Sequence, residues 1–329
     1  MKKSPNIGVD GLNFELILEA KDFKACLFEH SLFNKYNAVY ANIKVLHDRL
    51  KVYINLPRCI RKDNVLPFSF YDMKQLEKIK KKIISELQAV IDEQNMSCDI
   101  KAIPVKSIEY NITQQVANGT TCGQMLNMFN RFFYDGRNLV YQDPLPECKF
   151  LKDNVAVLPL VKRKNYYTIK LYNKSVEQAD KGNMAVENDL LRFEIVFVDR
   201  TLKRLCGNDL SLDNFLSSEI IYKAIEEFKY VFVKRMVKDF KICLDEIVEI
   251  IFQSLMATNS ALVTVATYRE LIVDKEILRR AMIKWYKENG CSHYRARRNT
   301  SKFLSVNKRL NLPMNAIDTM RVFKRECMW

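Results

Sequence analysis

Apolar positions in the first two-thirds of the chain alternate with polar ones in some stretches and recur at three- and four-residue spacing in others. Residues 39–55 (VYANIKVLHDRLKVYIN) hold two alternating runs on either side of His47-Asp48-Arg49, which predicts a β-hairpin. Pro57 and Pro67 mark the loop that follows. In YDMKQLEKIKKKIISELQAVIDEQ the apolar residues Met73, Leu76, Ile79, Ile83, Leu87 and Val90 form one helical stripe opposite Lys and Glu, with Asp72 as the expected cap. Val105 to Val116 is rich in β-branched residues and predicts a strand ended by Asn118-Gly119. A short helix is expected in GQMLNMFNRFFY, before the turn-rich YDGRN and the prolines Pro144 and Pro146. NVAVLPLV and NYYTIKLYNK then read as a second hairpin, and DLLRFEIVFVD as a further strand after the polar SVEQADKGNMAVEN.

This order of elements suits an α+β fold, an antiparallel sheet covered by helices on one face. From Ser211 the pattern becomes helical with few breaks to about Glu288. Ile220, Ile221, Ala224, Ile225, Phe228, Val231, Phe232 and Met236 keep helical spacing, which core packing accounts for. Two domains are therefore expected, an α+β domain over residues 1–208 and a helical C-terminal domain over 209–329. No internal repeat or low-complexity tract interrupts either.

Charge distinguishes the two parts. The chain carries 53 Lys and Arg against 39 Asp and Glu, a formal net charge of +14. From Lys275 to Trp329 there are fourteen basic and four acidic residues, so ten of those fourteen net charges lie in this segment. The run GCSHYRARRNTSKFLSVNKRLNLPMNAIDTMRVFKRE mixes cations with Tyr, Phe and small polar residues, a composition that suits phosphate contacts. Arg295, Arg297, Arg298, Lys302, Lys308 and Arg309 are the candidate DNA-binding residues. Thr300 or Ser301 is expected to cap a helix through about Leu310, with another from Met314 to Phe323 after Leu312-Pro313, a spacing compatible with helix-turn-helix.

Other classes recede. No run approaches the roughly eighteen apolar residues of a membrane span, and the start carries Asp10 and Glu15 where a signal core would be apolar, so a cytoplasmic protein is expected. Nine scattered cysteines without a CxxC pair indicate neither a disulfide framework nor a zinc module. The three histidines, His30, His47 and His293, are too far apart for a local metal motif.

Candidate chemistry concentrates in the strands. Tyr166 to Lys174 (YYTIKLYNK), then Glu177, then Leu191-Arg192-Phe193-Glu194-Ile195, together with Ser107-Ile108-Glu109-Tyr110-Asn111-Ile112, resemble the replication proteins of filamentous phages and small rolling-circle plasmids. The resemblance covers roughly residues 100–235. It implies a ferredoxin-like sheet and an origin-specific nickase that attacks one DNA strand with a tyrosine, stays bound to the 5′ end and leaves a 3′ hydroxyl. A phenol is a weak nucleophile at neutral pH, so the attack needs a divalent cation on the phosphate and a nearby cation or base. Tyr172 with Lys174, on one face if the segment is a strand, meets that need; Tyr167 with Lys170 is the competing pair. Glu109 and Glu194, carboxylates inside apolar strands, are the candidate ligands for Mg²⁺ or Mn²⁺. Many such nickases bind metal through two histidines flanking one bulky apolar residue, and this sequence lacks that triplet, which leaves a carboxylate-based site.

The sequence thus points to a plasmid or phage replication initiator whose partners are origin DNA and host replication proteins. A non-catalytic origin-binding or regulatory protein is the alternative, and an RNA-binding protein a third reading. Structural roles compete for each residue: Tyr172 as a strand aromatic, Glu194 with Arg192 as an ion pair, Glu109 as a solvated side chain, and the Lys162-Arg163-Lys164 cluster as an exposed turn.

Overall fold

The computed structural model describes residues 7–18, 27–116, 121–123, 125–126, 149–151, 155–163, 166–180, 190–269, 271–272, 274–310, 312 and 316–327. These fall into two compact units, one within Met1–Gln114, Asn138–Tyr230 and Glu326–Trp329, the other within Gln115–Arg137 and Val231–Arg325. Of the helix expected in GQMLNMFNRFFY, residues 123, 125 and 126 are described and helical; the remainder lies outside the described residues, as do YDGRN, Pro144 and Pro146.

The first unit is built on a sheet of ten strands: β1 (Ile7–Ile17), β2 (Phe28–Phe33), β3 (Val39–Leu46), β4 (Arg49–Asn55), β5 (Phe68–Ser69), β6 (Val105–Gln115), β7 (Lys149–Leu151), β8 (Val155–Arg163), β9 (Tyr167–Asn173) and β10 (Leu190–Val198). The order is β2-β3-β4-β1-β6-β10-β9-β8-β7, with β5 pairing to β1 off that path. Every pair whose register is described is antiparallel. Both expected hairpins form, β3–β4 across His47 with its positive φ of 55°, and β8–β9.

Alternation sorts the two faces of this sheet. One face is apolar and buried: Ile43 and Val45 on β3, Val52 and Ile54 on β4, Ile108, Tyr110 and Ile112 on β6, Ile169 and Leu171 on β9, Phe193, Ile195 and Phe197 on β10. Helix α1 (Leu76–Glu93) lies against it, where Tyr40 of β3 meets Glu86 and Lys82. The cap of this segment differs from expectation. Ser69 is the N-cap of a 3-10 turn, Phe70–Gln75, that precedes α1, and Asp72 completes its capping box from the third position, held also by Arg61 at 2.6 Å. Helix α2 (Lys174–Asp180) and α3 (Asp199–Cys206) follow β9 and β10, and α4 (Leu212–Phe215) leads to α5 (Ser218–Val231). Tyr110 of β6 donates to the carbonyl of Ile221 on α5, so α5 covers the same apolar face. The opposite face carries Asn13, Tyr53, Ser107, Glu109, Lys170 and Glu194.

Strand β1 holds both faces in phase through an extra residue. Val9 pairs with Tyr110 and Leu12 with Ile108, so Asp10 and Gly11 together oppose Glu109, a β-bulge in the middle of the sheet. Ile7 and Val9 before the bulge and Leu12 and Phe14 after it are all at most 1% exposed.

The second unit is helical: a π-helical turn (Phe232–Val237), α6 (Lys238–Thr258), α7 (Ala261–Thr267), α8 (Lys275–Glu288), α9 (His293–Val306), a 3-10 turn (Lys308–Leu310) and α10 (Ala316–Cys327). Asn259 in the left-handed region ends α6, and Ser260 caps α7. Asp274, 4% exposed, accepts from Glu276 N at 2.8 Å and Ile317 N at 3.2 Å, so one carboxylate serves the first turns of α8 and α10. The expected caps Thr300 and Ser301 lie inside α9. Gly290 at φ 79° follows the end of α8 and Ser292 caps α9 through Arg295 N, so the helix starts two turns earlier and buries Ala296 and Thr300.

Candidate active site and nucleic-acid interface

The polar face of the sheet gathers three carboxylates from neighbouring strands. One oxygen each of Asp10 (β1), Glu109 (β6) and Glu194 (β10) lies within 4.8 Å of the others. Strand adjacency brings Glu109 and Glu194 together, and the bulge brings Asp10 in from the other side of Glu109. Gly11 is required at that bulge by close approach: a Cβ there would sit 2.6 Å from Glu109 Oε2 and 2.7 Å from Tyr53 Oη.

Two cations orient two of the acids. Arg192, fully buried, donates from Nη1 to Asp10 at 2.8 Å, from Nε to Thr113 at 2.8 Å, and from Nη2 to the carbonyls of Asn64 and Val65 at 2.5 and 2.6 Å. Asn64 and Asn55 also donate to Asp10, at 3.1 and 3.3 Å. Lys170 donates to Glu194 Oε1 at 2.7 Å, and Tyr172 Oη donates to Glu194 Oε2 at 3.0 Å. These contacts follow the ladder, in which Glu194 opposes Lys170 and Arg192 opposes Tyr172. The Glu194–Arg192 ion pair that the sequence allowed is not formed: Arg192 turns to Asp10 on β1, and Glu194 takes its partners from β9.

Glu109 accepts no hydrogen bond and makes no ion pair among the described residues. Burial, then the charge of Glu194, pushes its carboxyl up to about 7. Tyr172 is 7% exposed, and burial, then Glu194, raises its phenol well above the ordinary value. Burial pulls the Lys170 ammonium down, but Glu194 and Glu109 outweigh it and hold the pKa raised.

Lys174 stands apart from this chemistry. β9 ends at Asn173, whose side chain accepts from Ser175 N and Val176 N and starts α2, so Lys174 belongs to a helix rather than to the strand. Its ammonium is fully buried against Glu177 at 2.6 Å and Asn64 at 3.1 Å, 5.9 Å from the Tyr172 ring centroid. Burial, then Arg192, lowers it to about 8. Tyr167 lies on the apolar face, opposite to Lys170, because three residues separate them on one strand.

Asp10, Asn64, Thr113 and Tyr53 complete the site and escaped the sequence reading. Asp10 did leave a signal: an acid followed by glycine inside the apolar strand IGVDGLNF is the composition of a bulge at a polar site.

The six basic residues singled out from the sequence lie in the second unit. Arg295, Arg297, Arg298 and Lys302 are exposed on α9, Lys308 and Arg309 on the following turn, and none makes an ion pair among the described residues. The cations of α8 behave differently: Arg279 pairs with Glu276, Arg280 with Asp245, and Lys284 with Glu249. The uncompensated charge of this unit is thus concentrated on and after α9, where Tyr294 is 76% exposed beside the arginines.

No family model matches the sequence, and no curated protein matches it. Among solved structures, the chain is similar to the rolling circle replication initiator protein from Geobacillus stearothermophilus, at 7% identity over 69% of this chain and 83% of that one, with a TM-score of 0.29. No helix among the described residues is long and apolar enough to cross a membrane.

Proposed function

We propose that the chain is a cytoplasmic DNA replication initiator of a plasmid or phage, which binds an origin and nicks one strand through a tyrosine. The observation that carries this reading is a carboxylate cluster on three adjacent strands with a phenol hydrogen-bonded to one of its members. All three donors are carboxylate oxygens, the chemistry that Mg²⁺ and Mn²⁺ prefer. Against three acids stand two cations, Arg192 and Lys170, and Glu109 lacks a partner among the described residues, so Asp10, Glu109 and Glu194 fit a divalent ion. When bound, the ion would polarise a phosphodiester and offset the charge that develops on it.

The protein's own groups account for the rest. Arg192 and Asn64 fix Asp10, and Lys170 fixes Glu194. Glu194 accepts the hydrogen bond of Tyr172 and stands ready to take its proton as Tyr172 Oη bonds to phosphorus and the P–O3′ bond breaks. The product is a 5′ phosphotyrosine and a free 3′ hydroxyl that host replication proteins would extend. Arg295, Arg297, Arg298, Lys302, Lys308 and Arg309 would hold the duplex through its phosphates.

A non-catalytic origin binder is the second reading, favoured by the burial of Tyr172. Incubation with supercoiled plasmid DNA carrying the native replicon and Mn²⁺ separates the two. Relaxed circles with protein attached to a 5′ end are expected, and Asp10→Asn and Tyr172→Phe should abolish them. Unaltered supercoils with retained binding select the binder, and a preference for RNA over both forms of DNA in a salt titration overturns the proposal.

A further inference from the structure

A second phenol faces the same carboxylates. Tyr53 projects from β4 on the polar face, directly opposite Asn13 of β1, which in turn opposes and bonds Ser107 of β6 at 2.9 Å. Tyr53 Oη and Glu109 Oε2 flank the one methyl-sized space left by Gly11. Burial, then Glu109 and Asp10, raises the phenol, with Glu194 contributing in the same sense, so all three acids are felt at this oxygen. The two tyrosines approach the cluster from opposite sides, since β4 and β9 are separated by β1, β6 and β10. Their access differs: Tyr172 is buried with its hydroxyl held by Glu194, whereas Tyr53 is only half-buried on the polar face.

We propose that Tyr53 is a second catalytic phenol, able to form its own phosphotyrosine at the carboxylate cluster. This rests on the nicking reading above. Tyr53 Oη bonds to the phosphorus of a second phosphodiester, the P–O3′ bond breaks, the phenolic proton leaves to solvent and the departing 3′ oxygen takes one up. The released 3′ hydroxyl can then attack the phosphotyrosine at Tyr172, reforming a P–O3′ bond and returning the Tyr172 phenol. Each transfer exchanges one phosphoester for another, and neither consumes water nor needs an oxidant. Two phenols on one cluster let a nicked strand be rejoined without emptying the site.

The test uses the full chain, Mn²⁺ and single-stranded oligonucleotides of randomised sequence, with covalent adducts located by peptide mapping. Wild type is expected to carry adducts on the Tyr53 and the Tyr172 peptides. Tyr172→Phe should keep the Tyr53 adduct, Tyr53→Phe should keep only the other and lose strand rejoining at least tenfold, and the double variant should carry none. Adducts confined to Tyr172 in wild type, with none in Tyr172→Phe, overturn the role of Tyr53 and leave the nicking reading standing. No adduct anywhere in wild type overturns both. Thermal unfolding checks that each variant folds; if Tyr172→Phe does not, the wild-type peptide map decides.

Discussion

Replacing Glu109 by glutamine should make the metal-free protein more stable, an unusual outcome for a change in an active site. The folded-state carboxyl is raised from its ordinary 4.5 to about 7. Between those values the folded chain retains a proton that the unfolded chain has released, so stability falls as pH rises through the window and levels off above it. The difference corresponds to about 3 kcal/mol at pH 8, at 1.36 kcal/mol per pKa unit. Glu109→Gln keeps the shape and removes the charge, and should recover most of this at pH 8 and almost none near pH 4. Urea titrations at the two pH values measure it. A divalent ion acts on the same balance, because binding at a hundredfold excess over Kd stabilises by about 2.7 kcal/mol. Mn²⁺ should therefore raise the wild type at pH 8 and leave Glu109→Gln nearly unchanged. A variant no more stable than wild type at pH 8, or stabilised equally at both pH values, refutes the view that Glu109 is an unpaired acid crowded by its neighbours.

Arg192→Met should destabilise the first unit by about 3–5 kcal/mol in urea unfolding, because Asp10 loses its buried cation and the Asn64 and Val65 carbonyls lose their donor. Arg297→Ala with Arg298→Ala should weaken duplex binding across all sequences and lower the salt slope by about 1 for each phosphate that is no longer neutralised, as read from binding at several salt concentrations. Asp274→Ala should lower the stability of the second unit by about 2 kcal/mol, since two backbone donors lose one buried acceptor, and hydrogen exchange should quicken in the first turns of both α8 and α10.

Local pattern made much of this fold legible and non-local pairing hid the remainder. The β3–β4 hairpin and α1 were readable because alternation and the Leu76–Val90 stripe are properties of short segments. Glu109 and Glu194 stood out as charges in apolar strands, and their adjacency follows from a β6–β10 pairing that no local rule supplies. The same gap misassigned Arg192, whose nearest charge in sequence is Glu194 but whose partner is 182 positions away. Lys174 was misplaced by a single-residue change of structure, since Asn173 converts strand to helix where the sequence still looks extended. Tyr53 was invisible for a different reason: it is one aromatic within an ordinary alternating strand, and only the missing Cβ of Gly11 shows what it faces.

The extra residue in β1 bears on how this protein can change. Ile7 and Val9 occupy odd positions, Leu12 and Phe14 even ones, yet all four enter the same core. Deleting either Asp10 or Gly11 would restore a regular ladder, but it would also shift the remainder of the strand by one step, turning Asn13 inward or Leu12 outward. The segment is therefore more tolerant of substitution than of a change in length. Among descendants of this sequence, gaps should be absent between Ile7 and Phe14 even where the side chains have diverged.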